Sequence, residues 1–346
     1  MALKHKIMSM YVVLVLLNLI IWGWAILVFH DHPTLLGMAF LAYLFGLRHA
    51  VDADHIIAID NVTRKLMQMQ QKPITVGFYF SLGHSTVVIV AVMMMYFATD
   101  FFKQYLPTLS KIGEIVGATV SIFFLVLIAI INIYIFIQVY KSFMRVRRTG
   151  EFSEADVTTL LEQGGVMTRI FRAFFKVVSK SRQMYPIGCL FGLGFDTATE
   201  VALLAISGVT LAQGLSFWQV MVFPALFTAG MSLIDTSDGI VMLGVYQWAF
   251  IKPVRKLYYN LTMTFISVVI AFVVGSVEGL GLLAEKFKLS GGFLWGSVTK
   301  LQENWALFGL CILGLFLFLW LISVVVYQVG NYDQAEYVRI RRPRER

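Results

Sequence analysis

Long apolar runs, separated by short polar stretches, dominate the chain. Crossing a bilayer as a helix takes about 20 apolar residues. Eight runs are long enough: 7–29, 35–60, 74–98, 114–140, 185–207, 217–249, 259–284 and 304–328. They predict an all-α polytopic membrane protein with eight transmembrane helices. The first run follows Lys4 and Lys6 and lacks a small-residue cleavage site, so it reads as a retained span rather than a signal peptide.

Charge orients the predicted helices. Eight spans place both termini on one side. With the termini inside, the segments 1–6, 61–73, 141–184, 250–258 and 329–346 hold 22 of the 28 Lys and Arg, and the outer loops hold five. This positive-inside bias predicts an N-in/C-in topology. The chain then divides into four helices (1–140), a basic cytoplasmic loop (141–184), four more helices (185–328) and a basic tail (329–346). Composition agrees: 58% of the 346 residues are hydrophobic, 14% are charged, and the mean hydropathy is +0.77. In so apolar a chain, topology explains the net charge of +8 better than nucleic-acid binding does. The expected partner at this point is membrane lipid. Cys189 and Cys311 form no CxxC pair, which argues against a thiolate site or a disulfide framework.

The loop 141–184 has two parts. "SEADVTTLLEQ" (153–163) begins on an N-capping serine and stops at a glycine pair, like a short soluble helix. Over 166–180, Arg169, Arg172, Lys176 and Lys180 recur at helical spacing opposite Ile170, Phe171, Phe174, Phe175 and Val178. That pattern suits a helix on the anionic inner leaflet or a helix packed on the core.

Ionisable groups inside the runs change the picture, because they are expensive in lipid and mark ion paths. "FGLRHAVDADHIIAIDN" (45–61) carries two histidines, three aspartates and an arginine. A helix advances about 100° per residue. On a continuous helix His49, Asp52 and His55 would share one face, with Asp54 on another. Imidazole and carboxylate suit Ni, Co, Zn and Fe, and the lack of cysteine argues against Cu(I). The competing reading is a buried His–Asp pair that serves packing. "SLGHSTV" (81–87) adds His84. "GFDTATE" (194–200) places Asp196 and Glu200 on one face, and "GMSLIDTSDG" (230–239) does the same for Ser232, Asp235 and Asp238. These carboxylates could instead cap a broken helix or pair with Arg48. Six deep acids against one deep arginine call for a cation or for protons. His30 and His32, in "FHDHP", collect metal at the outer mouth or form a solvated turn. Neither GxxxxGK[ST] nor HExxH occurs.

A weak internal repeat is visible. "FGLRHAVDADHIIAI" (45–59) is similar to "FGLGFDTATEVALLAI" (191–206). Gly46 precedes Gly83 by 37 residues, and Gly192 precedes Gly230 by 38. In the predicted topology, spans 2–3 and 5–6 have opposite orientations, a recurrent transporter design.

"RHAVDADHI…IDNVTRK", "SLGHS", "LGFDTATE" and "GMSLIDTSDG" resemble, in order and placement, the four signatures of the nickel/cobalt permease family of bacterial secondary metal transporters. The resemblance implies eight helices with both termini inside, and uptake of Ni²⁺ or Co²⁺ across the bacterial cytoplasmic (inner) membrane. It implies that His49, Asp52, Asp54 and His55 are essential, followed by His84 and the acidic motifs. Ile57 departs from the pattern, where a small residue is expected. No cofactor is implied; the metal is substrate, and the chain is not expected to be an enzyme. Related exporters often carry a histidine-rich cytoplasmic loop. Residues 141–184 contain no histidine, which favours import. An efflux transporter and a membrane-integral metalloenzyme are the alternatives.

Overall fold

The computed structural model describes residues 3–69, 71–97, isolated helical positions between 119 and 144, and then 178–193, 198–249, 253–289 and 292–329. Every extended element among them is an α-helix. In chain order these are α1 (Leu3–Phe29), α2 (Pro33–His49), α3 (Ala53–Gln68), α4 (Val76–Phe97), α5 (Met184–Gly192), α6 (Ala198–Ala212), α7 (Phe217–Val220), α8 (Val222–Ala249), α9 (Pro253–Phe287), α10 (Gly292–Glu303) and α11 (Trp305–Val329). Four stretches are long and apolar enough to cross a bilayer: Leu3–Phe29, Val76–Phe97, Phe217–Gln247 and Phe265–Ala284. Two bent pairs, α2 with α3 and α10 with α11, raise the number to six if each pair is one span. The chain is therefore a multi-pass membrane protein by length and composition. Of the remaining expected spans, 114–140 lies almost wholly outside the described residues. The other, 185–207, falls on α5 and α6, with residues 194–197 between them outside the description.

Polarity decides which helix is central. In α8, Ser232, Asp235, Thr236 and Asp238 are all buried, and acids this deep must face protein rather than lipid. Accordingly 67% of its apolar window is buried, against 22% for α1. The outer face of α1 presents Leu19, Ile20 and Leu27, as a lipid-facing helix does.

The seams around α8 are closed by glycines. α2 packs along α8, and α4 packs along both α5 and α8. A Cβ on Gly46 would collide with the Phe227 carbonyl, one on Gly77 with the Asp235 carbonyl, and one on Gly188 with the Phe80 carbonyl. Gly192 lies against the backbone of His84, Gly83 against Tyr185 and Cys189, and Gly230 against Tyr43 and Leu47. Small residues let helix backbones approach this closely where no hydrophobic force pulls helices together in lipid.

The structure breaks one expected helix, extends it into the next segment, and leaves the two expected loop helices almost wholly outside the described residues. The run 35–60 is not one helix: it ends at His49, resumes at Ala53 and bends by 52°. Asp52 takes the N-cap position with extended backbone (φ −65°, ψ 147°), a role aspartate favours. The segment 61–73 is not a loop throughout, because α3 continues to Gln68 and buries Asn61, Thr63 and Arg64. The expected helix over 166–180 lies outside the described residues except for Val178–Lys180, which form a bend leading into a 3-10 turn at Ser181–Gln183. The expected helix at 153–163 also lies outside them.

Candidate metal centre

The break between α2 and α3 builds the site. It puts His49 on the last turn of α2 and His55 on the first turn of α3. The negative C-terminal end of α2 and the positive N-terminal end of α3 meet at the break, so a cation is favoured on the α2 side only. Gly309 of α11 lies against the Val51 carbonyl, within the break. His84 arrives from the middle of α4 and Glu200 from the first turn of α6.

Three imidazoles converge. The rings of His49 and His55 are 4.6 Å apart, those of His49 and His84 are 4.7 Å apart, and those of His55 and His84 are 4.9 Å apart. One ring nitrogen from each lies within 4.8 Å of the others. All three residues are almost fully buried. Phe80 lies edge-on to His55 at 4.8 Å and Phe227 flanks His49 at 5.6 Å, so aromatic walls shield the cluster from bulk water.

Carboxylates surround the imidazoles. Asp52 Oδ2 is 2.9 Å from His49 Nδ1, and Asp235 Oδ1 is 3.3 Å from His55 Nδ1. Such contacts orient a ligating ring and strengthen its free nitrogen. Glu200 Oε1 is 2.8 Å from His84 Nε2 and 3.9 Å from His49 Nε2. The Nε2 atoms of His49 and His84 are 3.0 Å apart. Two ligand atoms, each about 2.1 Å from one ion and at right angles around it, stand about 3.0 Å apart. The His49–His84 and His84–Glu200 distances are hydrogen-bond lengths that also suit two donor atoms sharing one ion. His55 Nε2, Asp54 Oδ1 and Asp235 Oδ2 are buried without a hydrogen-bond partner. Each such atom costs about 1–3 kcal/mol, a cost that a bound cation offsets.

The expected site residues therefore sort by position. His49, His55 and His84 form the centre, and Asp52, Glu200 and Asp235 touch it. Asp54 stands beside it, its charge reaching His49 and His55. Asp238 is buried one turn beyond Asp235, and no contact joins it to an imidazole. Asp196 lies outside the described residues. Arg48 is exposed, and its charge reaches Asp52; the buried arginine is Arg64. His30 pairs with Asp31 at 2.9 Å, with both side chains largely exposed, as in a solvated turn.

Sequence reasoning missed two groups. Thr199 Oγ1 lies 3.4 Å from His49 Nδ1. Asp60, fully buried in α3, accepts from Tyr246 Oη at 2.6 Å and from Ser267 Oγ at 3.3 Å. The available signal was the apolar spacing of Ile56, Ile59, Val62 and Leu66, which continues past residue 60 and places Asp60 inside the helix.

The profile of the high-affinity nickel-transport protein family matches residues 35–326. The chain belongs to this family. It is 50% identical to the high-affinity nickel transport protein of Cupriavidus necator over 96% of this chain and 95% of that protein. It is 44% identical to the nickel transporter NixA of Staphylococcus aureus over 93% of this chain and 94% of that protein. It is 35% identical to the cobalt transport protein NhlF of Rhodococcus rhodochrous over 83% of this chain and 81% of that protein. No solved structure matches the chain. The family is one of nickel transporters rather than enzymes.

Proposed function

We propose that this protein takes up Ni²⁺, and Co²⁺ with it, across the bacterial cytoplasmic membrane. In this reading eight helices cross the bilayer with both termini inside. The observation that carries the site assignment is the buried convergence of His49, His55 and His84, whose ligand atoms lie within 4.8 Å of one another. The ion exchanges water for these imidazoles and the Glu200 carboxylate, while Asp52, Asp54 and Asp235 balance its charge. Asp196 sits beside Glu200 in the sequence and serves the same path. Nitrogen and oxygen donors suit both metals, so the donor set alone favours neither.

The membrane potential can drive the step. A divalent ion moving inward gains about 4.6 kcal/mol per 100 mV, at about 2.3 per charge. That equals about three decades of concentration, so ATP is not required.

Packing supports the inverted repeat. The glycine pairs matched by the repeat, Gly46 with Gly192 and Gly83 with Gly230, all sit at backbone contacts, and the partners are exchanged: α2 meets α8, while α5 meets α4. The basic loop 141–184 then joins two halves on the cytoplasmic side.

The test is radioactive Ni²⁺ uptake into cells expressing the chain, beside His49→Ala, with Co²⁺, Zn²⁺ and Mn²⁺ as competitors. Uptake by the wild type alone, inhibited chiefly by Co²⁺, is the expected result. No accumulation despite good expression overturns the import reading, and metal efflux from loaded vesicles would then favour an exporter.

A further inference from the structure

Beyond the imidazole centre, α3 and α8 continue side by side, and a second polar group lies between them. His55 meets Asp235 at 3.3 Å. One turn further along α8 is Asp238, and five residues further along α3 is Asp60. Ile59 packs against Gly239 at this level, and Tyr246 reaches Asp60 at 2.6 Å. The two helices therefore run in the same direction, and the acids follow one another along a single seam.

Asp238 is only 6% exposed, and neither carboxylate oxygen has a hydrogen-bond partner. The charges within its electrostatic reach are Asp60 and Asp235, both of its own sign. Asp60 is held by two hydroxyl donors, Tyr246 and Ser267. Each of its oxygens keeps a second lone pair. The charge of Arg64 reaches Asp60, while the Arg64 guanidinium donates to Asn61 Oδ1 at 2.7 Å. Asp60 and Asp238, with Asp235 shared between this seam and the imidazole centre, outnumber the one guanidinium when ionised. A divalent cation balances the excess.

We infer that Asp238 and Asp60 form a second, all-oxygen cation site, to which the transported ion passes from the imidazole centre by way of Asp235. This inference rests on the transport reading above. Asp235 is the shared member: it contacts His55 and lies three residues, about 4.5 Å of helical rise, from Asp238. Oxygen donors without imidazole hold Ni²⁺ less tightly than the three-histidine centre. The ion therefore steps down in affinity, which lets a tight binding site release its cargo. Multi-site passage of this kind reconciles entry with exit. In the proposed topology the seam leads from the centre toward the cytoplasmic loop after α3.

The experiment is equilibrium dialysis of the purified full-length protein in lipid nanodiscs against radioactive Ni²⁺, with X-ray absorption spectra at one and two equivalents. The wild type should bind two ions per chain, one tight and one weaker. The first equivalent should give an imidazole-rich spectrum and the second should add oxygen scattering only. Asp238→Asn should lose the weaker ion and keep the tight one, whose retention reports a folded site. Saturation of the wild type at one ion overturns the second site and leaves the transport reading intact, and so does an Asp238→Asn protein that still binds two. A wild type that binds no Ni²⁺ overturns both. Should Asp238→Asn fail to fold, the wild-type stoichiometry and spectra still decide.

Discussion

The Nε2 atoms of His49 and His84 face each other at 3.0 Å, although the residues come from different helices and lie 35 positions apart. At that distance two imidazole nitrogens share either one proton or one metal ion. Replacing either ring by alanine should abolish uptake at low Ni²⁺. Glu200→Gln keeps the shape of the side chain and removes the charge of a proposed ligand; it should weaken Ni²⁺ affinity by more than the roughly 10–100-fold that loss of an outer-shell partner costs. Radioactive Ni²⁺ uptake checks the alanine variants, and calorimetric titration of the purified protein checks Glu200→Gln.

The proton shared at that position also predicts a pH dependence. Metal ligation needs neutral imidazole and ionised carboxylate, so binding releases protons. Acidification supplies the competing proton, and uptake should fall as pH drops from neutral. Initial rates measured with the membrane potential clamped separate this effect from a change in driving force. A flat profile would count against the imidazole site.

Gly309 bears on the break between α2 and α3 through its contact with the Val51 carbonyl. A side chain there has to push the break, and with it His49 and His55. Gly309→Leu should reach the membrane yet bind Ni²⁺ poorly, at a cost of about 1–3 kcal/mol for overpacking. Gly23 has open space around it, so Gly23→Ala is the matched control and should behave as the wild type. Uptake rates normalised to protein in the membrane compare the two.

Tyr246 holds Asp60 with the 2.6 Å hydrogen bond across α3 and α8. Tyr246→Phe removes one donor to a buried carboxylate, worth about 1.5–3 kcal/mol. Ser267→Ala removes the longer, 3.3 Å bond and should cost less. Thermal unfolding of the two variants in detergent gives the order.

The residues of the candidate site stood out in the sequence because ionisable groups in lipid are conspicuous. His49, His55 and His84 stand out in apolar runs, and so do Glu200 and Asp235. Their meeting point was read for the wrong geometric reason. Spacings of three place His49, Asp52 and His55 on one face of a continuous helix, but the helix breaks between them. Gly309, about 260 residues away, packs against the break at the Val51 carbonyl, a contact that no local pattern reveals. Asp60 and Arg64 were hidden by the opposite error. Polar residues near the end of an apolar run look like a loop, whereas here hydroxyl donors from Tyr246 on α8 and Ser267 on α9 let Asp60 stay buried.

The glycine contacts around the centre have a consequence for which ions fit. Gly46, Gly77 and Gly192 bring backbone onto backbone beside the histidine-bearing segments, so the positions of the rings are set by main chain rather than by adjustable side chains. Close-packed main chain yields little. In the proposed reading such a cage resists widening for a larger cation or shrinking onto a smaller one. Ionic radius and preferred coordination angle then become the sieve, and two neighbours in the periodic table with nearly equal radii pass it together.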